Sequence, residues 1–166
     1  MKKTFKNFAS SDSSYFSIKI PIVGISFAQA NKFCEWRESV VNKSKTVKIK
    51  VCLPTIDIYE MVIENKDSIT QNKCYLQNSL NCNGLQVTKA KEHKYLDKSL
   101  LRADSYYPSD LGLYCLQGNA SEMTDMKGIA MGGSFKDYAR ESFKDKKQMY
   151  TKPEDWLGFR CLITLK

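Results

Sequence analysis

After Tyr106 the apolar residues of this chain come in short runs separated by glycine: LGLYCLQGN, GIAMGGSF and GFRCLITL. Runs of that length between turn residues fit short strands better than helices. Before residue 65 the pattern is different. SFAQANKFCEWRESVV places Phe27, Ala30, Phe33, Cys34, Arg37 and Val41 on one helical stripe. Ser26 and Gln29 have the spacing of a capping box, and Trp36 lies off the stripe, where it is expected to pack under a loop. KTVKIKVCLP then alternates, with Val47, Ile49 and Val51 on one side and Lys48, Lys50 and Cys52 on the other, as a half-exposed strand does. TIDIYEMVIEN starts a second helix, with Thr55 as N-cap, Asp57 at the positive end of the dipole, and Ile58, Met61 and Val62 as its apolar face. Two helices followed by short strands and long loops make an α+β domain.

With 166 residues the chain is long enough for one domain with a core of its own. Residues 1–14 are polar and expected to be poorly ordered, leaving 15–166 as the single domain. SIKIPIVGIS reads as a strand or extended edge, broken by Pro21 and Gly24. Residues 65–105 show little periodicity, and a loop that long needs a local staple, which Cys74 and Cys82 can provide. No apolar run is long enough to cross a membrane. MKKTFKNF has the lysines of an export signal without its apolar stretch, which leaves two expectations: a cytoplasmic protein, or a sequence given without its export segment. The net charge of +8 comes from dispersed lysines, which reads as a solvated surface, and no nucleic-acid-binding motif accompanies it.

The six cysteines are Cys34, Cys52, Cys74, Cys82, Cys115 and Cys161. There is no CxxC, and His93, in a polar stretch, is the single histidine, so a zinc site would have to come from scattered thiols. Disulfides are the preferred reading, with buried free thiols as the alternative and the connectivity open. Tyr106, Tyr107, Tyr138 and Tyr150, with Arg140, are candidates for a binding surface, because Tyr and Arg commonly anchor one. GGSFKDYARES, from Gly132 to Ser142, poses a sharper question. It breaks from an apolar strand into a polar corner, as the lip of an active site does.

Four pieces stand in a telling order: PIVGISFAQANKFCEWR, CLPTIDIYEMV, YYPSDLGLYCLQGNASEM, and MGGSF followed by LGFRC. They resemble the formylglycine-generating enzyme and sulfatase-modifying-factor family, which implies a C-type-lectin-like fold over roughly residues 15–161. In the family's oxidases, two cysteines after the G-G-S corner bind copper(I). Here those positions are Asp137 and Ser142, and hard oxygen donors do not replace thiolates for that ion. The family's iron-dependent branch needs several histidines, which His93 alone cannot supply. The resemblance also implies a disulfide between Cys34 and Cys161, closing a loop worth ~4–5 kcal/mol in the chain-entropy model. Cys52 and Cys115 replace a basic and an acidic family position, which suggests that they are neighbours joined by a bridge. Asn119 and Glu122 match a G-N-x-x-E pattern that contributes to a calcium site in several members, so Ca2+ is the one cofactor implied. The alternative is that both side chains pin the loop through backbone bonds. Arg160 is expected to be structural, and Trp156 and Phe159 to lie in the core.

The details CEWR and YYPSDLGLY look most like Bacteroidetes branches that include lipoproteins of gliding motility and protein secretion. The resemblance therefore implies a non-catalytic, extracytoplasmic binding or structural module whose partner is a protein or glycan of the cell envelope. The competing expectation is a divergent oxidase acting on a substrate cysteine.

Overall fold

The computed structural model describes residues 19–44, 46–64, 100–104, 108–109, 111–137 and 146–166. Helix α1 spans Phe27–Ser44 and strand β1 spans Ile49–Cys52. Helix α2 spans Ile56–Glu64. Strands β2 (Ser121–Met123), β3 (Ile129–Met131), β4 (Gln148–Met149), β5 (Leu157–Gly158) and β6 (Leu162–Leu165) follow. The architecture is α+β.

Both helices begin as their sequences direct. Ser26 and Gln29 form the capping box, Ser26 N–H donating to Gln29 Oε1 at 2.8 Å and Gln29 N–H to Ser26 Oγ at 3.3 Å. At α2, Ile58 N–H donates to Thr55 Oγ1 at 3.2 Å. Helix α1 runs three residues past the apolar stripe that announces it. Trp36 is not covered by a loop: it is 57% exposed, and its ring rests against Phe33 at 5.4 Å between centroids. In α2 the buried pair is Tyr59 and Ile63, one turn apart, and Met61 is exposed. The buried face is therefore rotated from the expected Ile58–Met61–Val62, because the Tyr59 hydroxyl has buried acceptors waiting for it.

The strands form a two-stranded sheet, β1–β6, and a four-stranded sheet in the order β4-β3-β2-β5. All pairs are antiparallel except β2–β5. Strand alternation gives the larger sheet two different faces. Met123, Ala130 and Leu157 point into the main core with Ala30, Cys34, Ile49, Val51 and Leu53. Trp156 and Phe159 pack against that cluster as expected. Glu122 and Met131, which are register partners, point the other way, and Met131 packs with Tyr59 and Ile63 of α2. The larger sheet thus separates an α1 side from an α2 side.

Two expected strands are absent among the described residues. SIKIPIVGIS is irregular from Lys19 on, with Gly24 at φ +72° and its N–H shared between the carbonyls of Glu154 (2.9 Å) and Leu157 (3.2 Å). LGLYCLQGN is a series of turns, because Gly112, Cys115, Gly118 and Asn119 all take positive φ. A run of left-handed residues cannot stay pleated. Residues 1–14 and the Cys74–Cys82 staple lie outside the described residues. No described helix is long and apolar enough to cross a membrane.

Candidate functional site

Strand β3 ends in Gly132 and Gly133, both at positive φ. A Cβ on Gly132 would lie 2.6 Å from Tyr59 Oη and 2.9 Å from the Leu116 carbonyl, so no larger residue fits. The Gly132 carbonyl accepts from Gly118 N–H at 2.7 Å. Gly133 N–H donates to Gln148 Oε1 at 3.3 Å. Ser134, fully buried, then turns the chain. Its N–H and its hydroxyl both donate to Asp137 Oδ2, at 2.8 and 2.6 Å, and its Oγ accepts from Lys136 N–H at 3.2 Å. The Asp137 carboxylate is thus the lock of a tight turn. Lys136 extends outward and pairs with Asp155, which ties the corner to the loop before β5.

Behind this corner lies a polar knot. Arg160 grips Glu122 with two nitrogens, Nε to Oε2 and an η nitrogen to Oε1 at 2.6 Å. The Tyr59 hydroxyl is 3.0 Å from both Glu122 Oε2 and the Leu116 carbonyl. Arg160 also donates to the Tyr114 carbonyl at 3.1 Å. Burial, and then the Glu122 charge, hold the Tyr59 hydroxyl well above its ordinary range, so it stays protonated. Burial opposes the Arg160 charge, but the Glu122 carboxylate outweighs it and the guanidinium stays ionised. Cys115, at φ +48°, donates its thiol to the Ala103 carbonyl at 3.2 Å. Burial pushes that thiol up to about 11, and Glu122 adds to the effect. A thiol held this high is a poor nucleophile at neutral pH.

The expected calcium pair is engaged otherwise. Asn119 clasps Leu101, its Oδ1 accepting from Leu101 N–H at 3.0 Å and its Nδ2 donating to the Leu101 carbonyl at 3.1 Å. Glu122 is neutralised by Arg160. With one side chain pinning backbone and the other facing a guanidinium, the pair does not fit a calcium ligand set. Asn119 thus pins the loop through backbone bonds, whereas Glu122 is held by the side chains of Arg160 and Tyr59.

The cysteines divide into two places. Cys34 and Cys161 bring their sulfurs to 3.7 Å across α1 and the start of β6. Cys52 ends β1, opposite Leu162 of β6. Cys115 lies instead with Glu122 and Arg160. The four described cysteines are free thiols, and the expected Cys52–Cys115 bridge is not formed: the two thiols have different neighbours. Among the described residues no group of three His, Cys, Asp or Glu side chains is placed to hold a metal.

The aromatic surface is only partly within view. Tyr150 is partly buried against the main core, with its hydroxyl turned inward. Tyr106, Tyr107, Tyr138, Arg140, Ser142 and His93 lie outside the described residues. Sequence reasoning missed Tyr59, the knot's hydroxyl. Its neighbour four residues on, Ile63, was the available signal that Tyr59 faces inward.

Helices on both sides of small sheets, a glycine corner locked by Ser134 and Asp137, and a Glu–Arg knot beneath it define a C-type-lectin-like domain of the formylglycine-generating type. The chain belongs to the family of sulfatase-modifying factor enzyme 1-like domains, whose model matches residues 9–165. A search of curated protein sequences found no match. Among solved structures the chain is similar to Treponema denticola variable protein 1, with TM-score 0.70, 14% identity, and coverage of 93% of this chain and 75% of that one. It is also similar to CarF, with TM-score 0.62, 19% identity, and coverage of 89% and 68%. PvdO from Pseudomonas aeruginosa gives TM-score 0.62 and 13% identity, covering 86% of this chain and 61% of that one. At these identities the likeness is one of fold.

Proposed function

We propose that this chain is a non-catalytic binding or structural module that works outside the cytoplasm, on a C-type-lectin-like scaffold. One observation carries the reading. At the first of the two positions where the family's oxidases place copper thiolates stands Asp137, whose carboxylate is committed to the Ser134 N–H and hydroxyl. Residues arranged this way hold a turn and do not fit a copper(I) site. The polar knot beneath supplies neither a free base nor a reactive thiol.

The face that would carry a partner is Lys136, at the end of the glycine corner, with the turn at 151–156 to which Asp155 ties it. Loops on a rigid frame are the usual place for recognition. The partner is a protein or glycan of the cell envelope, as in the gliding and secretion lipoproteins that the sequence resembles. The Cys34 and Cys161 sulfurs, free thiols 3.7 Å apart, stand where an oxidising compartment outside the cytoplasm would join them.

Copper(I) titration in the presence of a cysteine-containing peptide tests this. The expected result is no stoichiometric copper binding and no oxidation of the peptide. Tight copper binding with conversion of the peptide cysteine would instead establish an oxidase.

A further inference from the structure

Helix α1 covers one strand of the β1–β6 sheet and leaves most of the other open. It runs antiparallel to β1, since Asn42 meets Ile49 and Glu38 meets Val51. Asn42 Oδ1 accepts from Ile49 N–H at 2.8 Å, and Asn42 Nδ2 donates to the Ile49 carbonyl at 2.9 Å. Glu38 Oε2 accepts from Val51 N–H at 2.9 Å. These backbone groups face away from β6, because the Lys166 N–H donates to the Lys48 carbonyl at 3.0 Å and makes Lys48 and Lys50 the β1 residues that bond across. Glu38 and Asn42 therefore hang over the far edge of β1. At about 3.6 residues per turn, Phe33, Arg37 and Val40 fall on the opposite flank of α1, toward β6. The Phe33 ring meets Phe159 at 5.5 Å between centroids, and Cys34 meets Cys161, which sets that flank beside the start of β6.

Opposed residues of a ladder share a face, so Ile163 and Leu165 stand on the face of Val51 and Ile49. Val51 and Ile49 are buried, whereas Ile163 is 49% and Leu165 76% exposed. On the helix above them Val40 is 44% exposed, beside the open Trp36. The result is a ledge, with α1 as its wall and β6 as its floor. Arg37 stands in the middle of the wall, exposed, with no hydrogen bond or ion pair among the described residues. Lys32 and Lys43, in the helical row of Trp36, are exposed and unpaired in the same sense. Neither this flank of α1 nor β6 carries an Asp or Glu.

We propose that this ledge is a docking site for an amphipathic helix of a partner protein, one whose apolar stripe is bordered by Glu or Asp. A second helix laid beside α1, at about 8–10 Å between axes, would cover Val40, Ile163 and Leu165. Its carboxylate would take the Arg37 guanidinium in a two-pronged pair, with Lys43 close by. An exposed Trp and an unpaired Arg among apolar side chains are the anchors that such interfaces use. Charge selects this occupant. A second copy would set Arg37 and Lys43 against themselves across a twofold axis. The chain's own long segments outside the described residues are basic: residues 1–18 carry Lys2, Lys3 and Lys6 against Asp12, and residues 65–99 carry six lysines against Asp67, Glu92 and Asp97. A flat lipid surface would meet Trp36 before it reached Ile163 at the foot of the wall. The ledge shares no residue with Lys136 or the turn at 151–156, and its test is independent of the reading given there.

The probe is a Trp-free helical peptide of about eighteen residues, with leucines at helical spacing and two glutamates bordering their stripe. A control peptide has lysines in place of the glutamates. Fluorescence anisotropy on the full chain measures binding. Trp36 emission reports whether the wall is covered, Trp156 being packed against the core already. The expected result is salt-sensitive binding of the glutamate peptide only, with a blue shift that Trp36→Phe abolishes. Arg37→Ala should lower the affinity about tenfold. Arg37→Glu should reverse the preference, so that the lysine peptide binds and the glutamate peptide does not. Leu165→Ser, at an exposed position on the floor, should weaken binding of the glutamate peptide without changing the preference. No binding, equal binding of both peptides, or a preference that Arg37→Glu leaves unchanged overturns the proposal. A Trp36 shielded from acrylamide in the free protein would mean that the chain covers its own ledge, and concentration-dependent dimers would mean a second copy. Binding to phosphatidylglycerol vesicles in preference to the peptide would mean a lipid surface. Each of these results overturns it too.

Discussion

The two sides of the four-stranded sheet are held by different chemistry. On the α1 side, Met123, Ala130 and Leu157 meet aliphatic residues and the Cys34–Cys161 sulfurs. On the α2 side, Glu122, Arg160 and Tyr59 exchange directed bonds, with Met131 and Ile63 beside them. Apolar packing loses stability in proportion to what is removed. A buried charge network does not, because each member left alone strands its partners. The α1 side should therefore weaken gradually, and the α2 side should fail abruptly.

The largest expected effect would sharpen the α1 side. Oxidising Cys34 and Cys161 should stabilise the protein by about 4–5 kcal/mol, as read by urea unfolding with and without reductant. The two redox states should also diverge in alkali. Burial, with Cys161 adding to it, pushes the Cys34 thiol from 9.0 up to about 12. An unfolded thiol ionises near the lower value. The contribution is thus fully present below about pH 9 and is lost as pH rises toward about 12. The oxidised protein has no thiol at Cys34 and escapes that component, so unfolding midpoints at about pH 8 and about pH 11 should separate the two forms.

Glu122→Ala should follow, at about 3–5 kcal/mol, because Arg160 keeps a buried charge without its carboxylate. Combining Glu122→Leu with Arg160→Met and Tyr59→Phe should recover much of the loss in thermal melts. If the triple variant is no better than Glu122→Ala, the contrast between the two sides is broken. Gly132→Ala comes next, at about 2–3 kcal/mol, since the new methyl collides with Tyr59 and the Leu116 carbonyl. Gly112→Ala is its control: it has positive φ but nothing within 4 Å, and it should cost only about 1 kcal/mol. The smallest effect is Ser26→Ala, about 1 kcal/mol from the lost cap, with no change at the knot.

What could be read in advance follows the same division. Ser26, Gln29 and Thr55 announce both helices, because a cap is a local device whose partners lie three residues apart. Ile49 and Val51 announce β1 by alternation. The turns between Leu111 and Asn119 were not legible, since Cys115 and Asn119 take left-handed conformations that their residue types do not demand. Arg160 was expected to be structural, yet its partner Glu122 lies 38 residues away, and no local pattern links them. The orientation of Tyr59 was hidden for a related reason: an apolar count ignores a hydroxyl that has found two acceptors. The role of Asp137 was half legible, in that the missing sulfur could be read and the turn the carboxylate closes could not.

The pairing of Ile49 with Leu165 sets a timetable. More than a hundred residues separate the two strands, and Gly24 near the front of the domain waits for Leu157 near its back. The entropy of closing those loops is spent before any contact repays it. A ribosome must therefore release almost the entire domain before its first strand finds a partner strand, and until then α1 and β1 have only each other, through Asn42 and Glu38.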